Sequence, residues 1–278
     1  MTQYLKALVL LCAILWANNS SAQNNIFDCE HSREFASYLF NSAQFDLALH
    51  ELERVNYLCK TDSASQLLLL RTYRKVSQFD KANPYFNNKS FEQLMAMPDS
   101  YKQEFVKLQM TQKQYPEVTE LINQGFDFKG KQEYLIGSAL LLKQWNNAYS
   151  MAQQCEMLNS LKINGLKKIA EQSYQAKRKK PWLATVMSVI VPGSGKMYSG
   201  YWADGAMSLL FTASSGFFAY RGFNKYGPNK VYPWIAGGIA ISYYAANIYG
   251  GNRAAVLYNK NLDNHFIHET EHLLFSDY

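Results

Sequence analysis

The chain has 278 residues, enough for two domains of ordinary size, and 48% of them are apolar, which supplies a substantial core. The formal charge is only +6, and no dense basic stripe with interleaved aromatic residues is present. This composition excludes a disordered chain and argues against nucleic-acid binding. The 20 tyrosines suit both repeat packing and the aromatic belts of a membrane-associated protein.

Residues 1–22 are predicted to be a secretory signal peptide. Lys6 precedes a ten-residue apolar run, residues 7–16, and Ser20 and Ala22 occupy the small-residue cleavage positions. Cleavage before Gln23 is expected, with an uncleaved anchor as the alternative. The apolar run is shorter than the roughly 20 residues that a membrane span needs. Export is expected in either case.

Three cysteines remain in the mature chain, and export would place them in an oxidising compartment. Cys29 and Cys59 bracket the first predicted helical hairpin, so a disulfide between them is one possibility. The alternative is that they and Cys155 are small buried apolar residues. The spacing of the three fits no zinc motif.

Four segments after the signal peptide share a glutamine, then an aromatic residue, then a small or β-branched residue three positions later. The aromatic and small residues are Phe45 and Ala48, Phe79 and Ala82, Tyr115 and Val118, and Trp145 and Ala148. Successive copies are 34, 36 and 30 residues apart. Such a period is typical of stacked helix-turn-helix units. An irregular all-helical bundle is the alternative.

This pattern resembles the tetratricopeptide repeat family, in which an aromatic residue and an alanine of the second helix pack against the first helix. The resemblance implies a curved, solenoid-like repeat domain over residues 23–176. It also implies an interaction module whose concave face binds a protein or peptide, with no cofactor and no catalytic residues. It does not identify the partner.

A different composition begins after the basic residues 177–180. Apolar segments follow at 181–191, 202–220 and 231–250, and the last two are long enough to cross about 30 Å of hydrocarbon. We therefore predict a membrane domain over 177–260 with two spanning helices. The shorter segment is expected to be interfacial or re-entrant, or else a buried helix of a soluble domain.

A glycine-rich stretch between the first two apolar segments is predicted to form a tight turn at membrane depth. Small residues such as Gly216 and Gly238 are expected to bring the two spans into close contact. The turn is similar to the P-G-x-G-Q-x-Y-x-G signature of a family of small two-span membrane domains of uncharacterised function. The matching residues are Pro192, Gly193, Gly195, Lys196 in place of Gln, Tyr198 and Gly200. The resemblance implies membrane integration.

A cell-envelope location follows from these features. With the repeat domain exported, the loop containing Arg221, Lys225 and Lys230 would be cytoplasmic, as the positive-inside rule prefers. The basic residues 177–180 would then lie outside, where they can contact anionic headgroups. We therefore expect an inner-membrane protein with its amino-terminal domain in the periplasm.

Residues 261–278 contain the pattern His268-Glu269-x-x-His272, in which two histidines one helical turn apart can bind zinc. His265 is a possible third ligand. Only six residues follow His272, which leaves no room for a downstream ligand. We therefore favour a solvated amphipathic tail that packs through Phe266, Leu273 and Leu274, with adventitious metal binding and a zinc peptidase as the alternatives.

The sequence as a whole predicts an all-α protein with a helical-repeat domain, a helical membrane hairpin and a tail. The predicted function is that of a non-enzymatic, membrane-anchored periplasmic helical-repeat scaffold that binds a protein or peptide partner. A membrane-assembly or transport accessory factor acting through the glycine-rich turn is the alternative. A zinc peptidase acting through His268, Glu269 and His272 is a further, remote alternative.

Overall fold

The computed structural model describes residues 28–59, 63–155 and 160–275. Within these ranges the regular structure is helical and no strand is found, so the predicted all-α class is confirmed. The predicted signal peptide, residues 1–22, lies outside the described residues.

The described helices fall into two compact units, residues 1–113 and 114–278. The first unit contains α1 (Cys29–Asn41), α2 (Phe45–Leu58), α3 (Ser63–Lys75), α4 (Phe79–Asn87), α5 (Phe91–Met95) and α6 (Asp99–Thr111). The second contains α7 (Tyr115–Asn123), α8 (Lys131–Leu141), α9 (Trp145–Gln154), α10 (Leu161–Gln175), α11 (Pro181–Ile190), α12 (Ser194–Tyr198), α13 (Trp202–Tyr226) and α14 (Val231–Phe275).

The same kind of turn precedes each of the four segments that share the sequence pattern. The residue before each glutamine has a left-handed backbone, with φ between 58° and 64°, although none is glycine: Ala43, Ser77, Lys113 and Lys143. In the first copy the N–H of Gln44 donates to the Leu39 carbonyl and closes the end of α1. A left-handed conformation costs a non-glycine residue about 1 kcal/mol. The same backbone conformation therefore recurs before all four segments.

Each turn leads directly into a helix that begins with the aromatic residue of the repeat. The four aromatic side chains are half-buried, and the small residue three positions later is fully buried in every copy: Ala48, Ala82, Val118 and Ala148. A larger side chain there would hold the helices apart, since buried sites are packed at crystal-like density. These residues therefore set the local spacing of neighbouring helices.

The first unit is held by an apolar core and by a buried ion pair. Six residues of α1, α2 and α3 form one cluster: Ala36, Leu39, Ala48, Leu49, Leu52 and Leu69. Between α3 and α6, the Arg74 guanidinium donates to the Glu104 carboxylate at 2.6 Å, and both side chains are buried. Arg71 approaches the same carboxylate at 3.8 Å, so two guanidinium groups of α3 face the buried charge of Glu104.

A disulfide closes the first hairpin. Cys29 at the start of α1 is bonded to Cys59 directly after α2, and their Cα atoms are 6.2 Å apart. The N-terminus of α1 is also capped by Asp28, whose carboxylate accepts the His31 N–H at 2.9 Å. This hydrogen bond lowers the pKa of Asp28 below its usual value.

In the second unit, α14 is the helix on which most others pack. It contacts α8, α10, α11, α12 and α13 along its 45 residues. Near its C-terminal end, Leu274 lies against Gly137 of α8 and Leu273 against Gly165 of α10. The residues predicted to form a separate tail, 261–278, therefore continue α14 as far as Phe275 and pack on repeat helices.

The division into compact units lies between Lys113 and Gln114, inside the predicted repeat domain of residues 23–176. Helices α7 to α10 are grouped with the predicted membrane domain because α14 packs on α8 and α10. The side of α8 and α10 that α14 covers is therefore not open to another protein.

We predict that the disulfide stabilises the first unit. A crosslink between residues 30 positions apart removes loop-closure entropy from the unfolded chain worth about 3 kcal/mol. The double variant Cys29→Ser/Cys59→Ser should unfold at a correspondingly lower urea concentration and should not respond to reductant. Cys155→Ser, at a free cysteine, is the control and should behave as wild type. Equal midpoints for wild type and the double variant would contradict the prediction.

Candidate functional site

The glycine-rich turn joins three helices through one buried asparagine. Gly193 has φ 87° and precedes α12, and its N–H donates to the side-chain oxygen of Asn247 at 2.6 Å. The amide nitrogen of Asn247 donates to the Ser188 carbonyl near the end of α11 at 3.0 Å. Asn247 is only 3% exposed. One side chain of α14 thus pairs with backbone groups on both sides of the turn.

Glycine is required at this turn because backbones meet there. A Cβ atom at Gly195 would lie 2.1 Å from the Ala184 carbonyl oxygen, and one at Gly193 would lie 2.0 Å from the Gly205 carbonyl oxygen. Both distances are far inside van der Waals contact. On α14, a Cβ atom at Gly251 would meet the Ser188 hydroxyl oxygen at 2.1 Å. The helices therefore approach each other more closely than any side chain would allow.

Lys196, which stands where the resembled family has glutamine, is half-buried. Its ammonium donates to the Ser208 hydroxyl of α13 at 2.7 Å, and its stem lies against Gly250 of α14. The side chain therefore links α12 to both long helices. Tyr198, at the end of α12, accepts a hydrogen bond from the Lys180 N–H at 3.2 Å.

Helix α14 forms hydrogen bonds to α11 and to the segment before it through four polar residues. We did not predict these as site residues. Asn252 donates to the Thr185 hydroxyl at 3.0 Å. Asn259 pairs with both the N–H and the carbonyl of Lys179, each at 2.8 Å. Asp263 accepts from Arg178 at 3.0 Å, and Tyr244 donates to the Val189 carbonyl at 2.7 Å. Their signal in the sequence is a polar residue recurring at helical spacing within an otherwise apolar helix.

Helices α13 and α14 form a hairpin whose large apolar side chains are mostly exposed. The two helices meet through ring pairs, including Phe223 with Trp234 at 5.3 Å and Phe211 with Tyr243 at 5.8 Å. Nothing lies within 4 Å of the Cβ position of Gly216 or Gly238, so the close contact expected at these small residues is not formed. The exposed residues include Met207, Leu210, Phe217, Phe218, Ile235, Ile239 and Ile241.

The segments predicted to span a membrane, 202–220 and 231–250, are helical throughout. In the described part of the chain, however, no helix combines the length and apolarity needed to cross a membrane. Serine, glycine and tyrosine residues recur among the large apolar residues of both segments and lower their mean hydropathy. The prediction of two spans is therefore not confirmed. The predicted interfacial segment, 181–191, forms the ten-residue helix α11.

The histidines of the H-E-x-x-H pattern lie along one groove, of about 550 Å³, between α10 and α14. His265 faces Glu269 at 3.5 Å, and His268, largely exposed, faces Glu271 at 3.8 Å. Among the residues that the structure describes, no group of three or more His, Cys, Asp or Glu side chains is placed to hold a metal ion. The three histidines His265, His268 and His272 therefore form no zinc site there.

The opposite side of this part of α14 is buried. Phe266, Thr270 and Leu274 lie four residues apart and are at most 5% exposed. Phe266 contacts the repeat aromatic Trp145, with ring centroids 6.0 Å apart. Burial raises the pKa of Tyr115, another repeat aromatic, and the negative charge of Glu271 raises it further. The histidines thus lie on the side of α14 opposite to the buried residues Phe266, Thr270 and Leu274.

Comparison of the chain with known protein families, curated proteins and solved structures found no match. The resemblances to the tetratricopeptide repeat family and to the two-span membrane family therefore stay predictions.

We predict that Gly195→Ala destabilises the second unit, because its methyl group would displace the Ala184 carbonyl. Overpacking of this kind costs about 1–3 kcal/mol. The matched control is Gly216→Ala in α13, where the Cβ position is open and alanine favours the helix by up to about 1 kcal/mol. Thermal unfolding in detergent, followed by circular dichroism, measures both. Equal shifts for the two variants would show that the turn is not closely packed.

Proposed function

We propose that this protein is a membrane-attached helical scaffold that binds a protein or peptide partner and catalyses no reaction. The observation that carries the proposal is the exposed apolar surface of the α13–α14 hairpin. We assign this surface to contact with the hydrocarbon of a lipid bilayer. Contact of this kind does not require either helix to cross the bilayer.

The distribution of exposed residues favours lipid over a second protein. A helix that docks on one protein partner carries a single apolar stripe. On α13, by contrast, neighbouring positions such as Leu209, Leu210 and Phe211 are all exposed, and they point in different directions around the helix. A surrounding apolar solvent explains such a surface, and a single flat interface does not.

The hydroxyl groups of the hairpin also suit an apolar solvent. Ser214 donates to the Leu210 carbonyl at 2.7 Å, Ser215 to the Phe211 carbonyl at 2.7 Å, and Ser242 to the Gly238 carbonyl at 2.8 Å. A polar group placed in hydrocarbon must find its partner within the protein, because no water is present. Each of these hydroxyls has such a partner within its own helix.

Aromatic residues at the two ends of the hairpin support the same assignment. Trp202 and Tyr249 lie towards the end where α13 begins, and Tyr226 and Trp234 lie towards the connecting loop. All four are exposed. Tryptophan and tyrosine prefer the level of the headgroups, where the ring is apolar and its polar atom reaches water.

An envelope location with the first unit outside the cytoplasm is part of the proposal. The Cys29–Cys59 disulfide supports it, because disulfides persist in oxidising compartments such as the periplasm. The predicted signal peptide agrees with export. We propose the inner membrane as the site of attachment, since the apolar elements are helices.

The partner surface is proposed to lie on the first unit, because α14 covers part of the repeat helices in the second. Its first hairpin exposes a group of apolar and aromatic residues on α1 and α2: Phe35, Tyr38, Leu47, Tyr57 and Leu58. Exposed aromatic residues are enriched at protein-binding surfaces.

Attachment to lipid can be tested by flotation with neutral phosphatidylcholine vesicles. Wild-type protein should float with the vesicles. The triple variant Leu210→Gln/Phe218→Gln/Ile241→Gln removes exposed apolar side chains from the hairpin and should remain in the dense fraction. The matched control is Leu47→Gln/Leu58→Gln/Leu161→Gln, which removes three comparably exposed leucines outside the hairpin and should float. Wild-type protein that fails to float would end the membrane proposal.

Partner binding can be tested in cells with a photo-crosslinking amino acid. Placed at Tyr38 or Tyr57, it should give one discrete protein adduct, because these positions lie on the proposed surface. Placed at Asp80 or Asn88, exposed polar positions of the same unit, it should give none. The same adducts at all four positions, or adducts at none, would contradict the proposed surface.

A further inference from the structure

The basic residues of the chain are concentrated in one region. Between residues 177 and 260 there are ten lysines and arginines and a single acidic residue, Asp204. The remaining residues hold eighteen basic and twenty-one acidic side chains, so they are net negative. The positive charge of the whole protein therefore belongs to the part that carries the apolar hairpin.

Five of these basic residues belong to the segment that leads into α11 or stand next to α14 residues that bond to this segment or to α11. Lys177, Lys179 and Lys180 belong to the segment itself. Arg253 and Lys260 of α14 are exposed and adjoin the two asparagines, Asn252 and Asn259, that bond to α11 and to this segment. We refer to these five basic residues as the basic collar.

The collar is not neutralised by the protein. The nearby carboxylate of Asp263 forms an ion pair with Arg178 at 3.0 Å, and the Lys143 ammonium lies 3.8 Å from it. None of the five collar residues forms an ion pair with a carboxylate in the described part of the chain. Their charge is therefore available to an external anion.

One collar lysine is held in place by aromatic rings. The Lys179 ammonium lies 4.7 Å from the ring centre of Tyr198 and 5.5 Å from that of Tyr258. Cation–π contacts of this kind orient the ammonium but leave its full positive charge. The backbone on both sides is also fixed, since Asn259 pairs with the N–H and the carbonyl of Lys179. The position of Lys179 is therefore set by contacts within the protein itself.

An exposed apolar stripe begins directly after the collar. On α11, Trp182, Val186, Val189 and Ile190 are exposed at helical spacing, starting two residues after Lys180. A helix with an apolar stripe and basic residues at one end is suited to lie in a membrane interface, with the ammonium groups at the phosphates. Nucleic acid or an acidic protein would leave this stripe exposed to water.

We propose that the basic collar binds the phosphate headgroups of anionic phospholipids while the α11 stripe enters the acyl layer. This inference rests on the proposed contact of the α13–α14 hairpin with lipid and names the class of lipid. It assigns to residues 177–180 the recognition of an anionic membrane surface.

The test compares full-length protein on vesicles of pure phosphatidylcholine with vesicles that also contain phosphatidylglycerol. Wild-type protein should bind the anionic vesicles more tightly, and added salt should reduce the difference. In the variant Lys177→Gln/Lys180→Gln/Lys260→Gln, the ratio of the affinities for anionic and neutral vesicles should fall about fivefold for each lysine removed, as expected for basic residues at an anionic surface. The variant should bind neutral vesicles as wild type does.

The matched control, Lys89→Gln/Lys113→Gln/Lys168→Gln, removes the same charge from the helical repeats and should keep the full preference. A collar variant that also keeps the preference would overturn the inference. Displacement of the protein from anionic vesicles by duplex DNA, or by inorganic phosphate at the same phosphate concentration, would also overturn it. Failure of wild type to bind either kind of vesicle would instead contradict the proposed contact of the hairpin with lipid.

Discussion

The arrangement of the second unit depends on how closely α14 can approach the glycine-rich turn. Asn247 reaches a backbone N–H on one side of the turn and a carbonyl on the other, and its side chain is almost fully buried. A buried backbone group without a partner costs about 1–3 kcal/mol, so both groups need this side chain. Helix α14 comes close to this region at Gly251, which lies against the Ser188 hydroxyl and the Ala184 carbonyl.

This constraint explains why α14 remains one helix for 45 residues. Gly250 and Gly251 would ordinarily weaken a helix at its centre. Here they are the points where Lys196 and Ser188 approach α14, so the packing gained there offsets the weak helix propensity. The same helix then continues to Leu274, which lies against α8. Within this unit the hairpin and the repeat helices are therefore joined without a flexible linker.

The pattern of aromatic and small residues is a local signal in the sequence. An aromatic residue and a small residue three positions apart along a helix lie close to one face, and the structure buries the small residue in every copy. The left-handed residues at Ala43 and Lys143 carried no such signal, since neither type favours that conformation. The amphipathic pattern of the tail was an equally local signal, since Phe266 and Leu274, which it placed on the packed side, are buried.

The residues that contact the glycine-rich turn and the segment before α11 could not be predicted from the sequence, because they are distant in the chain. Asn247 is 54 residues from Gly193, and Asn259 is 80 residues from Lys179, so no local pattern connects them. Asn247 is buried and Asn259 is half-buried, and both bond to the backbone of segments that pack on α14. A buried polar residue in an apolar helix needs a specific partner. The asparagines are therefore the residues that fix how α14 aligns with α11, and with it where the basic segment before α11 lies.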